Sequence, residues 1–161
     1  MITVTDLIGA LERNLGIVKA QTQGLSHADS LLQLPFRGNC MNWVLGHLAA
    51  NRSTMMQFLG EIPILGEAQV KRYGYGSEPV CADSGDILTL EQLLTVLEQS
   101  QQAIAASLQK IGTEELAREV QSFLGTTTLG HLIFFLYWHE SYHTGQTEAL
   151  RQLAGKDDHV I

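Results

Sequence analysis

The sequence has little proline, little positive charge and no long hydrophobic run. Only three prolines occur in 161 residues, so long stretches can form uninterrupted helices. The longest purely apolar run, residues 132–138, is far shorter than the ~20 residues that a membrane-spanning helix needs. The first ten residues lack a basic start followed by an apolar block. We therefore expect no secretion signal and a cytoplasmic location.

Basic residues and cysteines are both scarce. Ten Lys and Arg stand against seventeen Asp and Glu, which gives a formal net charge of −7. Nucleic acids and anionic membrane surfaces select clustered basic residues, so we expect neither as a partner. The two cysteines, Cys40 and Cys81, lie far apart in the sequence. In a cytoplasmic protein they are expected to be free thiols.

What the sequence does contain is hydrophobic residues at helical spacing. They make up 45% of the chain, enough for one folded domain over residues 1–161. Helical periodicity and capping residues predict four long helices. The first spans residues 5–23 with Thr5 as the N-cap, and the second begins at residue 39 or at Met41 and ends at residue 59. The third spans residues 89–111 with a Thr89–Gln92 capping box, and the fourth begins at about residues 126–128 and ends at Gly155. A short helical turn is expected at residues 113–119.

The connection between the second and third helices, residues 60–88, is unusually long. A connection of this length can cross a whole helical bundle, so these two helices can run parallel. The shorter connections favour the first and second helices, and the third and fourth, as antiparallel neighbours. We therefore predict an all-α fold, a four-helix bundle with up-down-down-up topology. Any strand is expected only as a small piece within residues 60–88.

Two histidines take leucine-type positions on the inward face of the fourth helix. Two columns at seven-residue spacing define this face: Leu129, Leu136, His143 and Leu150, and Leu132, His139, Gln146 and Leu153. Burying an unpaired polar group costs a few kcal/mol. A metal ion would satisfy both imidazoles, because the four-residue spacing places them on one side of the helix.

The best third ligand is His47, which lies in the middle of the second helix among apolar neighbours. An ordinary hydrogen-bonded core histidine remains the alternative for His47. His131 lies about 12 Å from His139 along the helix axis, too far to share an ion. His27 and His159 fall in a predicted loop and in the C-terminal tail.

His139 to His143 also reads H-E-x-x-H, the signature of zinc proteases, in which Glu140 would be the general base. The glycine and histidine of the extended signature are missing, since Thr144-Gly145-Gln146 follows. A protease is therefore the minor alternative.

Three motifs resemble the DinB-like (DinB/YfiT) superfamily of small bacterial four-helix metalloproteins, and the resemblance covers nearly the whole chain. They are Asn42-Trp43-x-x-Gly46-His47-Leu48 followed by Asn51-Arg52, Tyr75-Gly76-Ser77-Glu78-Pro79, and the most specific one, Trp138-His139-Glu140-x-x-His143-x-Gly145-Gln146 followed by Leu150-Arg151. The resemblance implies one divalent metal ion, commonly zinc or nickel, on His47, His139 and His143. It also implies, as in some relatives, activation of a low-molecular-weight thiol. An arginine often follows the second helix-four histidine in relatives, whereas Thr144 stands here.

Three histidines would leave the ion its full charge and an open coordination position. Water or a thiol bound there becomes a nucleophile at neutral pH. We therefore expect a metal-dependent enzyme acting on a small molecule by thiol transfer or hydrolysis, although no catalytic residue or organic cofactor can be named. The alternative is a non-catalytic, metal-stabilised ligand-binding or dimerisation module.

Further expectations concern the surroundings of the site and the assembly. Supporting residues are expected among Glu140, Asn51, Gln146 and Tyr142, whereas Tyr73 and Tyr75 are candidates for the pocket wall and Cys40 for a packed thiol. A homodimer is expected from the resemblance and from apolar residues of the fourth helix outside its inward face, such as Phe134 and Phe135.

Overall fold

The computed structural model describes residues 3–160, except the side chain of Thr113. Its elements along the chain are α1 (Val4–Thr22), α2 (His27–Ser30), α3 (Met41–Phe58), α4 (Glu67–Arg72), α5 (Leu90–Lys110), α6 (Thr113–Leu116), β1 (Glu119–Ser122), β2 (Gly125–Thr128) and α7 (Leu129–Leu153). The protein is therefore mostly helical, which confirms the all-α class. None of the described helices combines the length and the apolar character that crossing a membrane requires.

The small sheet lies between α6 and α7 and not, as expected, within residues 60–88. Strands β1 and β2 pair antiparallel, with Glu119 opposite Thr128 and Ser122 opposite Gly125. Two local signals explain the hairpin. The β-branched run 126–128 favours a strand, and Gly125 has a positive φ of 80°, which a glycine adopts without strain.

Capping side chains set the starts of the long helices. The Thr3 hydroxyl accepts a hydrogen bond from the Asp6 backbone, and the Asp6 carboxylate accepts one from the Thr3 backbone. This reciprocal pair places the N-cap of α1 at Thr3, so the prediction of Thr5 was wrong. The predicted capping box between Thr89 and Gln92 is present at the start of α5.

The four long helices make their main contacts as α3 with α5, α1 with α7, α1 with α5 and α3 with α7. Within residues 3–160, α1 with α3 and α5 with α7 are not among these main contacts, so the expectation that they are neighbours was wrong. The reason is the length of the connections. One contains α2, and the other contains α6 and the hairpin, so each is long enough to reach the opposite corner of the assembly.

A polar layer divides the interior into two apolar clusters. One cluster surrounds the first half of α3 and contains Val44, Leu48 and Leu93. The other surrounds its end and contains Met55 and Ile104. Between them, each long helix contributes buried polar side chains: Asn14 from α1, Arg52 and Ser53 from α3, Ser100 and Gln101 from α5, and Glu140 and Thr144 from α7.

The long connection packs on α3 through the buried ring of Tyr73. The Tyr73 hydroxyl donates to Asn42 at 3.1 Å and accepts from the Leu88 backbone at 2.8 Å. Gly46 makes this close approach possible, because a Cβ at that position would lie 2.1 Å from the Tyr73 ring. The connection is thereby fixed directly beside His47.

Candidate metal centre

Three histidines from two helices meet at one point. His47 comes from α3, and His139 and His143 come from successive turns of α7. Their potential ligand nitrogens all lie within 4.8 Å of one another, and the Nε2 atoms of His47 and His139 are 2.9 Å apart. No other group of three or more His, Cys, Asp or Glu side chains with this spacing occurs in the described part of the chain. All three residues that the sequence singled out are thus brought together.

The orientation of His47 is fixed by its neighbours on both sides. Trp43, one helical turn earlier, stacks on the imidazole with ring centroids 4.8 Å apart and planes 13° apart. The Nδ1 atom of His47 lies 2.8 Å from the carbonyl oxygen of Tyr73. A carbonyl only accepts, so the Nδ1–H donates and the lone pair is on Nε2, facing the other two histidines.

His143 is held in a similar way by Gln146, one turn further along α7. Its Nδ1 atom lies 2.8 Å from the Gln146 Oε1 atom, so Nδ1 is again the donor and Nε2 is free to bind. Hydrogen bonds on the far nitrogen are typical of histidines that bind metal ions, because they fix the tautomer and the ring orientation. Gln146 therefore has the supporting contact that its place on the inward face predicted.

All three histidines are kept neutral by their surroundings. Burial, together with the nearby His143 and His139, lowers the pKa of His47 to about 4 against the opposing hydrogen bond to Tyr73. Burial and the neighbouring His143 lower the pKa of His139. Burial also lowers the pKa of His143, although the hydrogen bond with Gln146 opposes it. Neutral imidazole is the form that binds a metal ion, so this donor set fits a divalent cation.

Glu140, which follows the first of these histidines, belongs to the buried polar layer. Its two carboxylate oxygens accept hydrogen bonds from Nε and Nη2 of Arg52, each at 2.8 Å. Arg52 also donates to the backbone carbonyls of Leu97 at 2.9 Å and Leu11 at 3.2 Å. This cluster connects all four long helices. Because both its oxygens are bound to Arg52, Glu140 is not available as a general base, and the protease interpretation is wrong.

The other predicted neighbours of the site differ in their contacts. Asn51 donates to the backbone carbonyl of His47 at 3.0 Å, a bond within α3. The ring of Tyr142 meets His143 edge to face, with centroids 5.2 Å apart. Tyr75 is 98% exposed and lies at the rim of a cleft over the histidines. The ring of Tyr73, which was expected in the pocket wall, packs on α3 at Gly46 instead. Tyr73 contacts the site only through its backbone carbonyl, which accepts from His47.

The cysteines take no part in the site. Both are free, as predicted, with Cys40 buried and Cys81 exposed. Cys40 donates from its sulfur to the carbonyl of Val80 at 3.2 Å, and burial raises the pKa of its thiol. Cys40 is therefore a packed, protonated thiol at neutral pH.

A cleft of about 850 Å³ opens onto the three histidines. This volume is in the range of small-molecule binding sites. Besides the histidines, the cleft is lined by Leu34, Phe36, Arg37, Gly38, Asn39, Trp43, Tyr75, Gly76, Ser77, Pro79, Tyr142, Gln146, Ala149 and Leu150. Sequence reasoning missed Phe36 and Arg37, because they lie in an irregular segment before α3 that has no periodic pattern.

The fold and the histidine cluster define a mostly helical protein with a candidate metal site. The chain belongs to the DinB superfamily, which it matches over residues 11–147, a span that contains all three histidines. Among solved structures it is similar to a protein described as the conserved protein of a locus from Enterococcus faecalis. The two structures align with a TM-score of 0.72 at 16% identity, and the alignment covers 97% of this chain and 100% of the other. This likeness shows the fold alone. No curated protein matches the chain.

Proposed function

We propose that this protein is an enzyme that acts on a small molecule. It binds one divalent metal ion, zinc or nickel, on His47, His139 and His143 and uses the ion in the reaction. The observation that carries the proposal is the convergence of three neutral imidazoles within 4.8 Å. Two of them are oriented by hydrogen bonds on their far nitrogens. Membership of the DinB superfamily supports it further.

Thiol transfer or hydrolysis is the chemistry that this arrangement supports best. Bound there, the ion would act as a Lewis acid that lowers the pKa of water or of a low-molecular-weight thiol. The chain supplies three ligands and, among the described residues, no fourth His, Cys, Asp or Glu in the cluster, which favours an open coordination position. No described Asp or Glu lines the cleft. Activation by the ion is therefore favoured over activation by a side-chain base.

A cobalt-substituted protein tests both the open position and the thiol. Titration with a small thiol should produce a sulfur–metal charge-transfer band, whereas the matching alcohol should produce none. A His131→Ala variant should give the same band as the wild type, because His131 is exposed and outside the cluster. If cobalt binds but no thiol or water exchanges at the ion, the protein is a non-catalytic, metal-stabilised module.

We also propose that the four long helices form an up-down-down-up bundle. Hydrogen bonds join residues in the same order along two pairs of helices. For α1 and α7 they are Asn14 with Ser141 and Gln21 with Arg151. For α3 and α5 they are Asn42 with Leu88, which lies two residues before α5, and Ser107 with Glu61, which lies three residues after α3. These contacts support parallel directions within each pair.

A homodimer in the cytoplasm completes the proposal. Phe134, Trp138 and Tyr142 recur every four residues along α7 and are 38%, 56% and 61% exposed. A stripe of large aromatic side chains at helical spacing supports an interface with a second copy of this chain. The cytoplasmic location is supported by the two free cysteines, Cys40 and Cys81.

A further inference from the structure

The cleft over the histidines has an unusual charge distribution. The whole chain carries a formal net charge of −7, yet within residues 3–160 no carboxylate lines the cleft, and Arg37 is its one permanently charged side chain. A bound divalent ion would add further positive charge. The cleft is thus a positive region on an acidic protein, which favours an anionic ligand.

The guanidinium group of Arg37 has no partner among the described residues. It lies in the segment before α3, is exposed, and makes none of the side-chain hydrogen bonds or ion pairs found among the described residues. Arg52, Arg72 and Arg151, in contrast, all have acidic partners. A free guanidinium at a binding cleft can hold a carboxylate through two parallel hydrogen bonds.

Aromatic side chains line the same cleft. Phe36 is 68% exposed, and Tyr75 is also exposed, while the buried Trp43 lies beside His47. Large aromatic side chains gain free energy when a flat apolar group covers them. Together with the volume of about 850 Å³, they suit a ligand with an aromatic body.

We propose that the cleft binds small aromatic carboxylates, with the carboxylate on Arg37 and the aromatic body between the exposed aromatic side chains. Arg37 is then the residue that selects anionic over neutral substrates. The proposal rests on the proposed metal-dependent function, because it assigns the substrate class of the same site. It makes Arg37 part of substrate binding without a role in the chemistry at the ion.

Isothermal titration of phenylacetate and neutral phenylacetamide tests this assignment. Both probes are added to the zinc-loaded protein, whose metal content is measured, and to the metal-free protein. In both forms the wild type should prefer the carboxylate, and Arg37→Gln should weaken phenylacetate binding by roughly five- to tenfold. Phenylacetamide affinity should not change. Arg37→Lys should keep part of the preference, since it keeps the charge but loses the paired geometry.

Arg13→Gln is the matched control, because Arg13 is also exposed and without a side-chain partner but does not line the cleft. It should bind both probes like the wild type. Full phenylacetate affinity in Arg37→Gln would overturn the proposal and assign anion binding to the ion alone. Absence of binding by either probe at full metal content would also overturn it. Failure to retain zinc would contradict the metal centre instead, and the metal-free titration would still decide the role of Arg37.

Discussion

Replacing Glu140 with leucine should destabilise the protein strongly, because it would leave a buried positive charge on Arg52. The carboxylate accepts two hydrogen bonds at 2.8 Å, and the two residues are only 2% and 1% exposed. Two bonds from Arg52 to backbone carbonyls would remain. Removing one partner of a buried ion pair costs about 3–5 kcal/mol. For a chain of this length, that loss lowers the melting temperature by roughly 6–20 °C.

The double variant Arg52→Met/Glu140→Leu should recover most of this loss, since it removes both charges and leaves apolar side chains in the layer. Urea unfolding of the wild type, both single variants and the double variant measures the coupling free energy. Glu115→Leu is the control, because Glu115 forms an exposed ion pair with Arg118 and should cost less than ~1 kcal/mol. A loss below ~1 kcal/mol in Glu140→Leu, or a double variant that loses the sum of the single losses, would show that Arg52 and Glu140 do not depend on each other energetically.

Three further outcomes are expected. The pKa of His47 is lowered from 6.5 to about 4, so between these pH values the unfolded metal-free protein binds a proton at His47 and the folded protein does not. The free energy of unfolding, measured in urea, should therefore fall by up to ~3 kcal/mol from pH 7 to pH 4. The same pH dependence of this free energy in His47→Gln would contradict the prediction. Gly46→Ala should lower both the melting temperature and the zinc affinity, because the new Cβ would lie 2.1 Å from the Tyr73 ring. Moving Tyr73 would also move its backbone carbonyl, which orients His47. A variant with wild-type values would show that the ring can move without cost. Light scattering at micromolar concentration should give a dimer for the wild type and a monomer for Trp138→Ser, and a monomeric wild type would remove the proposed interface.

Local sequence signals were enough to predict the long helices but not their partners. Apolar spacing and the Thr89–Gln92 capping box placed α5 correctly. At α1 the same chemistry was present, but Asp6 pairs with Thr3 and not with Thr5. Which helices contact each other depends on long-range packing that no local pattern records, and for this reason the neighbour prediction failed.

The site was predictable where side chains follow helical spacing. His139, His143 and Gln146 were found because they interrupt columns of leucines on one face of α7. The support of His47 by Tyr73 was missed, since it uses a backbone carbonyl that any residue could provide. The ion pair of Glu140 was not predicted, because H-E-x-x-H records a spacing but not the buried arginine opposite the glutamate.

The binding of one metal ion by His47, His139 and His143 together is best tested by the melting temperature. It is measured with and without chelator in the wild type and in His47→Gln. An ion bound only by the folded protein stabilises it, so chelation should lower the melting temperature of the wild type and change that of His47→Gln little. Elemental analysis should agree, with most metal lost in His139→Ala and His143→Ala and wild-type content in His131→Ala. A chelation shift as large in His47→Gln as in the wild type would show instead that His47 is an ordinary core histidine and does not bind the ion.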